Sequence, residues 1–122
     1  MLNGAIKEFK VIRAKWLRGS DSELLDENGK MCCLGFVCSQ LGISKELLQD
    51  KDNPYEIKLL LPYLTDYYHS MIVDSSLSKE AIQINDDVNI SDSIRESKLI
   101  KLFKQYCLSI KFEGYYDTYH SF

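Results

Sequence analysis

The spacing of apolar residues near the start of the chain predicts a helix over residues 3–18. These apolar positions are Leu2, Ile6, Phe9, Ile12 and Trp16. They recur at intervals of three and four residues, which places them on one face of a helix, and charged residues occupy most of the positions between them. Gly19 follows directly and is a suitable end for this helix.

The next segment, SELLDENGKMCC at residues 22–33, is predicted to form a β-hairpin. Its Asn28-Gly29 dipeptide favours a tight turn, and apolar residues flank that turn on both sides. The segment LGFVCSQLG then repeats apolar residues at helical spacing, with Gly42 at the position where a helix end is commonly followed by glycine. Ser44 is predicted to begin a further short helix in SKELLQD.

The middle of the chain carries a weaker pattern. Asn53-Pro54 breaks the preceding element, and we expect residues 55–73 to form a loop with one short helix or strand. Ser76 or Ser78 is then predicted to begin a helix that ends at Asn85-Asp86-Asp87.

The C-terminal third predicts one more helix and the clearest strand. Ser91 is a good N-cap for a helix over residues 92–107. The apolar side of that helix is predicted to hold Ile94, Leu99, Leu102, Phe103 and Tyr106. The segment LSIKFEG alternates apolar and polar residues strictly, which is typical of a half-buried strand.

Together these elements predict a single α+β domain over residues 1–122. It consists of an N-terminal helix, a β-hairpin running into a short helix, two later helices and a C-terminal strand. A chain of 122 residues with 45% hydrophobic content suits one domain with one core. The formal net charge of −3 argues against nucleic-acid binding, which needs a basic face.

The hydropathy of the chain predicts a cytoplasmic protein. No apolar run approaches the roughly 20 residues of a membrane span. The charged N-terminal stretch has no apolar core or small-residue cleavage site of a signal peptide. The four cysteines are therefore expected to be reduced thiols.

Three of those cysteines, Cys32, Cys33 and Cys38, fall within seven residues and suggest three interpretations. The favoured interpretation is that they are small buried residues, with Gly35 allowing the helix to approach a neighbouring element closely. The spacing of Cys33 and Cys38 only just fits a zinc knuckle, and a second ligand pair is missing nearby, so no metal site is expected.

The third interpretation is catalytic. Cys33 lies where a predicted strand turns into a helix, a position that lowers a thiol pKa and supplies backbone N–H groups to an oxyanion. The five residues CLGFV resemble the CSGFV segment around the nucleophile of NlpC/P60-type cysteine peptidases. That resemblance implies a cysteine-dependent hydrolase, with His69 or His120 as the general base.

Other polar residues are candidates for binding. Asp86 and Asp87 offer two adjacent carboxylates that can ligate Mg²⁺ or Ca²⁺, but the calcium-loop spacing is absent, and the favoured interpretation is a polar helix end or cap. Arg18 can bind a phosphate or carboxylate in bidentate fashion, or it can interact with a helix C-terminus. The aromatic C-terminal tail, which includes Tyr115 and Tyr116, either packs on its own domain or forms an interface in a homo-oligomer.

Three motifs resemble a group of small uncharacterised phage and prophage proteins. The motifs are W-x-R-G at Trp16–Gly19, G-x-M-C-C-L-G-F at Gly29–Phe36, and I-N-D-D at Ile84–Asp87. The resemblance covers most of the chain in this order. It implies a non-enzymatic accessory protein that counters host defence, either by sequestering a nucleotide-type signal or by inhibiting a host defence protein.

For such a protein the sequence predicts a ligand-binding set of cationic, polar and aromatic residues. The set is Arg18, Lys30, Asn85, Asp86, Arg95, Tyr115 and Tyr116. No cofactor, membrane or nucleic-acid partner is expected, and the cysteine-dependent hydrolase remains the alternative.

Overall fold

The two described strands come from opposite ends of the chain. In the computed structural model, which describes residues 7–54 and 76–116, strand β1 (Lys7–Ile12) pairs in parallel with strand β2 (Leu108–Glu113). Phe9 lies opposite Ile110 in this register. Parallel neighbours cannot be joined by a tight turn, so nearly the whole chain forms the connection between them.

Four helices are described between the strands, and the predicted α+β class is confirmed. They are α1 (Cys33–Gln40), α2 (Lys45–Leu48), α3 (Ser76–Asp86) and α4 (Asp92–Lys104). As predicted, Gly42 follows the end of α1 with a φ of +98°, and Ser91 caps α4, where its hydroxyl accepts a hydrogen bond from the Ile94 N–H. The predicted C-terminal strand is confirmed as β2.

The predicted N-terminal helix is wrong over the described residues. Residues 7–12 form β1 instead, followed by a short 3₁₀ turn at Arg13–Lys15. Phe9 and Val11 alternate inward and are fully buried, whereas Ile12, which the helical spacing had placed in the core, is 39% exposed. This segment pairs with a strand about a hundred residues away, and local spacing does not encode that pairing. The pairing selects the two-residue period of a strand over the 3.6-residue period of a helix.

The predicted hairpin is also wrong, although its turn forms. Gly29 has a φ of +82° and its N–H donates to the Asp26 carbonyl, as expected for a tight turn. The flanking segments do not pair with each other as strands. Each makes a single parallel bridge elsewhere, one from Met31 to Trp16 and one from Leu25 to Gln49.

The close approach predicted at Gly35 is confirmed and explains where that segment goes. A Cβ atom at Gly35 would collide with the carbonyl oxygen of Leu24. The segment before the turn therefore lies directly on α1, where Leu24 is fully buried and Leu25 nearly so. This backbone contact with α1 takes the place of a cross-strand ladder.

Helix α4 packs on β2 and α3 through Leu99, Leu102 and Phe103, which are buried as predicted. The prediction for Ile94 is wrong, since it is 49% exposed and its neighbour Arg95 is buried instead. Among the described residues no helix has the length and apolarity needed to cross a membrane. The prediction for residues 55–73 lies outside the described residues.

Candidate functional site

The side chain of Asn85, at the end of α3, joins three separate segments of the chain. Its Oδ1 accepts hydrogen bonds from the Trp16 indole N–H at 2.8 Å and from the Cys33 backbone N–H at 3.1 Å. Its Nδ2 donates to the Leu17 carbonyl at 2.9 Å. Asn85 is 1% exposed. The three sequence motifs that lie far apart in the chain therefore meet at this one amide.

Arg95, near the start of α4, is also buried and holds the turn between α3 and α4. Its guanidinium donates to the carbonyls of Ile84, Asn85, Asp87 and Ile90, at 2.6 to 3.2 Å. It also contacts the Asp92 carboxylate at 3.3 Å. Because a buried cation needs such a set of acceptors, Arg95 stabilises this turn and does not face a ligand.

Arg18 pairs with the first residue of α4. Its Nε and Nη2 donate to the two carboxylate oxygens of Asp92, at 3.1 and 2.9 Å, and its Nη1 donates to the Trp16 carbonyl at 3.0 Å. The guanidinium carbon lies 5.5 Å from the Trp16 ring centroid and 4.8 Å from that of Tyr116. A bidentate ion pair with two ring contacts orients the guanidinium strongly.

Burial alone would raise the pKa of the Asp92 carboxyl. The hydrogen bonds and charge of Arg18, together with those of Arg95, outweigh burial and hold that pKa below its ordinary value. Asp92 is therefore ionised at neutral pH and remains paired with Arg18.

A second arginine repeats the arrangement one turn further along α4. Arg13 donates from Nε and Nη2 to the Glu96 carboxylate at 2.8 and 2.9 Å, and its Nη1 donates to the Gly114 carbonyl. The Tyr116 hydroxyl also donates to Glu96. Burial, followed by the hydrogen bond to Glu96 and then its negative charge, raises the pKa of Tyr116 to about 12. The ring of Tyr116 is thus held against both arginines.

An open cleft of about 330 Å³ lies over this arrangement. It is lined by Trp16, Leu17, Arg18, Lys30 and Asp92. We call it the cationic cleft, since two of its charged side chains are positive and one is negative. Of the predicted ligand-binding residues, it brings together Arg18 and Lys30, and Tyr116 contacts Arg18 from one side.

The remaining predicted residues lie elsewhere. Asn85 and Arg95 are in the core, and Tyr115 is 92% exposed. Asp86 accepts a hydrogen bond from the Ser22 hydroxyl at 2.6 Å and lines a different cleft with Asp52. The geometry therefore divides the predicted set into a structural network and a smaller group at the cationic cleft.

A cleft of opposite charge adjoins the first one at Leu17. This acidic cleft has a volume of about 380 Å³ and is lined by Leu17, Asp21, Ser22, Glu23, Asp26, Glu27, Asn28 and Asp50. Burial, followed by the neighbouring carboxylates with Asp50 first, raises the pKa of Glu23. Within the described residues, no group of three or more His, Cys, Asp or Glu side chains is suited to hold a metal ion.

The cysteine cluster is part of the core, as the favoured interpretation predicts. Cys33 and Cys38 are fully buried, and Cys32 is 2% exposed. Burial raises the pKa of all three thiols, that of Cys32 to about 11. Only the thiolate is a good nucleophile, so this environment works against the activation that a hydrolase needs.

The backbone around Cys33 is equally unsuited to catalysis. Its N–H, which begins α1 and would form an oxyanion hole, is bonded to the Asn85 side chain. The two histidines considered as general bases, His69 and His120, lie outside the described residues. Cys107 is the exposed cysteine among those described, and it lies after α4, away from the cluster in sequence.

Asp92, Glu96 and Arg13 were not predicted to belong to a site. The sequence holds a weak signal for these ion pairs. The two carboxylates lie four residues apart on α4, and the two arginines lie five residues apart near the start of the chain. Their pairing spans more than 70 residues and depends on the parallel sheet that the sequence pattern did not predict.

Comparison with protein-family models, curated proteins and solved structures finds no match to this chain. The resemblance to small phage proteins therefore stays a prediction that rests on the three motifs.

Proposed function

We propose that this protein is a non-enzymatic accessory binding protein, encoded by a phage or prophage, that counters a host defence. It acts by sequestering a small nucleotide-type signal or by inhibiting a host defence protein. The observation that carries the non-enzymatic part is the state of Cys33. Its thiol is fully buried, its pKa is raised, and its backbone N–H is already bonded.

The distribution of polar groups also supports binding over catalysis. Acid–base catalysis needs groups that lie within hydrogen-bond reach of the substrate. Here two buried polar side chains, those of Asn85 and Arg95, hold segments of the chain together in the core. What they support at the surface is a rigid arginine beside a lysine, which is a recognition surface for an anion.

A small-molecule site of this kind agrees in type with known binding clefts. Such clefts are commonly about 300 to 1,000 Å³, with an apolar lining and a few placed polar groups. The cationic cleft, at about 330 Å³, lies at the lower end of that range and combines Trp16 and Leu17 with charged side chains. It suits a small ligand or one projecting group of a larger partner.

The test is native mass spectrometry of the protein purified rapidly from its expression host. We compare the wild type with Lys30→Gln, which removes a charge at the cleft, and with Lys98→Gln, which removes an exposed charge on α4. A nucleotide-sized adduct present in the wild type and Lys98→Gln, but depleted in Lys30→Gln, supports sequestration at this cleft.

The inhibitory form of the proposal requires a separate measurement. The wild type is added to lysate of a host strain that carries an active defence, and co-purifying proteins are identified with both variants as controls. The proposal as a whole fails if the protein retains no ligand, binds no defence component and does not restore phage growth on that strain.

A further inference from the structure

We infer that a pocket beside the turn at residues 26–29 binds a free apolar α-amino acid of about the size of leucine. The pocket has a volume of about 290 Å³ and shares none of its described lining residues with the cationic cleft. We call it the mixed-charge pocket. The inference goes beyond the proposed function, since it concerns a second site and neither depends on the other.

The floor of the mixed-charge pocket is apolar and belongs to the core. It is formed by Leu25, Met31 and Leu48. Leu25 is 5% exposed and Leu48 1%, and Met31 is partly buried and packs against the core cluster. An unbranched thioether adapts its shape to a neighbouring aliphatic group. The floor therefore suits the side chain of an aliphatic amino acid, which gains by leaving water.

The mouth of the pocket carries charges of both signs. Lys15 and Lys45 are positive, and Asp26 and Glu27 are negative. Two cations and two anions leave the lining neutral, so an ion of one sign is not attracted to the pocket as a whole. A zwitterion, by contrast, can place each of its charges beside the opposite charge. The lining therefore matches an amino acid, which has a carboxylate and an ammonium group on one carbon.

The two carboxylates at the mouth differ in what they already bind. Asp26 Oδ1 accepts hydrogen bonds from the backbone N–H groups of Asn28 and Lys30, at 2.9 and 2.8 Å, and so it holds the turn. Glu27 is exposed, and within the described part of the chain its carboxylate takes part in no ion pair. Glu27 is therefore the acceptor for the ammonium group of the ligand.

The two lysines reach the mouth from separate segments. Lys15 ends the 3₁₀ turn after β1, and Lys45 begins α2. Both are exposed, and neither pairs with a carboxylate in the ranges that the structure describes. A lysine lays its apolar stem along a wall and keeps its ammonium group in water. The stems thus extend the apolar lining, and the ammonium groups contact the carboxylate of the ligand at the mouth.

Backbone hydrogen bonds fasten the walls of the pocket to one another. The Met31 N–H donates to the Lys15 carbonyl at 3.0 Å, and the Asp50 N–H donates to the Leu25 carbonyl at 3.2 Å. These bonds join the segment after β1, the two sides of the turn and the residues after α2. The floor is therefore in place before a ligand arrives, and binding does not have to order it.

The charges at the mouth also distinguish a free amino acid from a residue within a peptide chain. A peptide residue has neutral amides where the free amino acid has its two charges. Its side chain would reach the floor, but Glu27 and the lysines would face neutral groups. The pocket volume is just below the range of about 300 to 1,000 Å³ that is common for ligand clefts, which agrees with one small molecule.

The methyl group of Met31 makes this inference directly measurable. The chain has three methionines, so methyl-¹³C-methionine labelling of the full chain gives a simple NMR spectrum, in which Met31→Leu assigns the Met31 resonance. The protein is titrated with L-leucine at neutral pH and constant ionic strength. We expect a saturable shift of the Met31 methyl resonance with a dissociation constant on the order of 1 mM. A shift that is absent, or that grows linearly with concentration, overturns the inference.

Two analogues separate the contribution of the floor from that of the charges. Glycine has both charges and no apolar side chain, whereas N-acetyl-L-leucinamide has the side chain and neither charge. We expect each to bind about tenfold or more weakly than L-leucine. If N-acetyl-L-leucinamide binds as tightly as L-leucine, the pocket takes an apolar side chain of a peptide and the amino-acid assignment is wrong. Equal binding of glycine and L-leucine would contradict the role of the floor.

Matched variants test the two charged contacts. Glu27→Gln and Lys45→Gln are each expected to weaken L-leucine binding about three- to fivefold, as for the loss of one exposed ion pair. Glu80→Gln and Lys104→Gln make the same charge changes at exposed positions on α3 and α4 and are expected to bind as the wild type does. All four side chains are exposed, so the variants are expected to fold. Equal affinities of the pocket variants and their controls would contradict the assignment.

Discussion

The two clefts that meet at Leu17 are similar in volume and opposite in construction. In the cationic cleft, the carboxylate of Asp92 is paired with Arg18, and the buried side chains of Asn85 and Arg95 bond to residues that line the cleft. In the acidic cleft, five carboxylate residues line one opening without a lysine or arginine among the lining residues. Attraction between opposite charges orders the cationic cleft, whereas like charges repel one another in the acidic cleft.

The difference is visible in the ionisation of the two sets of carboxyls. Burial raises the pKa in both settings, but beside Arg18 the opposing hydrogen bonds and charge lower the pKa of Asp92 overall. Beside Asp50 and Asp26, the pKa of Glu23 stays raised. The same residue class therefore stabilises one cleft and strains the other, which indicates that the cationic cleft is the preorganised one.

The largest expected effect comes from removing the amide beneath the cationic cleft. Asn85→Ala leaves the Trp16 indole N–H and the Cys33 N–H without their acceptor in the core. We expect the free energy of unfolding to fall by about 3 kcal/mol or more, measured by urea denaturation. Asn89→Ala changes an exposed asparagine after α3 and should stay within about 0.5 kcal/mol. Similar losses in both variants would contradict the structural role of Asn85.

The next effect tests the ion pair at the cleft itself. Arg18→Gln deprives Asp92 of its bidentate partner, although Arg95 still contacts one oxygen. Because Asp92 is about one third exposed, solvent screens part of the loss. We expect a decrease of about 1 kcal/mol in the free energy of unfolding. An unchanged unfolding curve would show that the pair does not organise the cleft.

Acid should affect the two clefts with opposite sign. The folded pKa values of Asp92 and Glu96 are depressed, so their stabilisation is complete above the unfolded carboxyl pKa of about 4 and is lost as pH falls through the folded values. Glu23 has a raised pKa, so its ionised form destabilises the fold at neutral pH. That destabilisation disappears as the pH falls and Glu23 becomes protonated. We expect unfolding curves to show a net loss of stability below about pH 4, and a smaller loss in Arg18→Gln.

The smallest effect should come from neutralising a residue of the acidic cleft. Glu23→Gln removes one of several like charges and is expected to raise the thermal midpoint slightly at neutral pH. Lowering the salt concentration should enlarge that increase, because screening of the remaining carboxylates decreases. A lower midpoint at low salt would mean that Glu23 has a stabilising partner, and the contrast between the clefts would then be lost.

The parts of the fold that sequence patterns predicted are those governed by local chemistry. Ser91 caps α4, Gly42 follows α1, and Gly29 turns the chain, because each depends on neighbouring backbone groups. The segment at 7–12 was misassigned, since its strand conformation depends on β2 at the other end of the chain. The apolar residues spaced by three and four predicted a helix, whereas the alternation of Phe9 and Val11 has the two-residue period of the strand that forms.

The candidate site was predicted in part for the same reason. Residue type alone identified Arg18 and Lys30 as anion-binding candidates, and both line one cleft. Residue type could not show that the side chains of Asn85 and Arg95 are buried and make their hydrogen bonds within the core. That distinction depends on the meeting of three distant segments, which only the folded chain reveals.

The most direct test of the central claim, that the cysteine cluster is core and the protein acts by binding, is alkylation of the native protein. Iodoacetamide is added at neutral pH, and modified cysteines are located by peptide mass spectrometry over time. The account predicts rapid modification of exposed Cys107 and protection of Cys32, Cys33 and Cys38 until the protein is unfolded in urea. Modification of Cys33 in the native protein, as fast as that of Cys107 or faster, would contradict the account and favour a cysteine-dependent hydrolase.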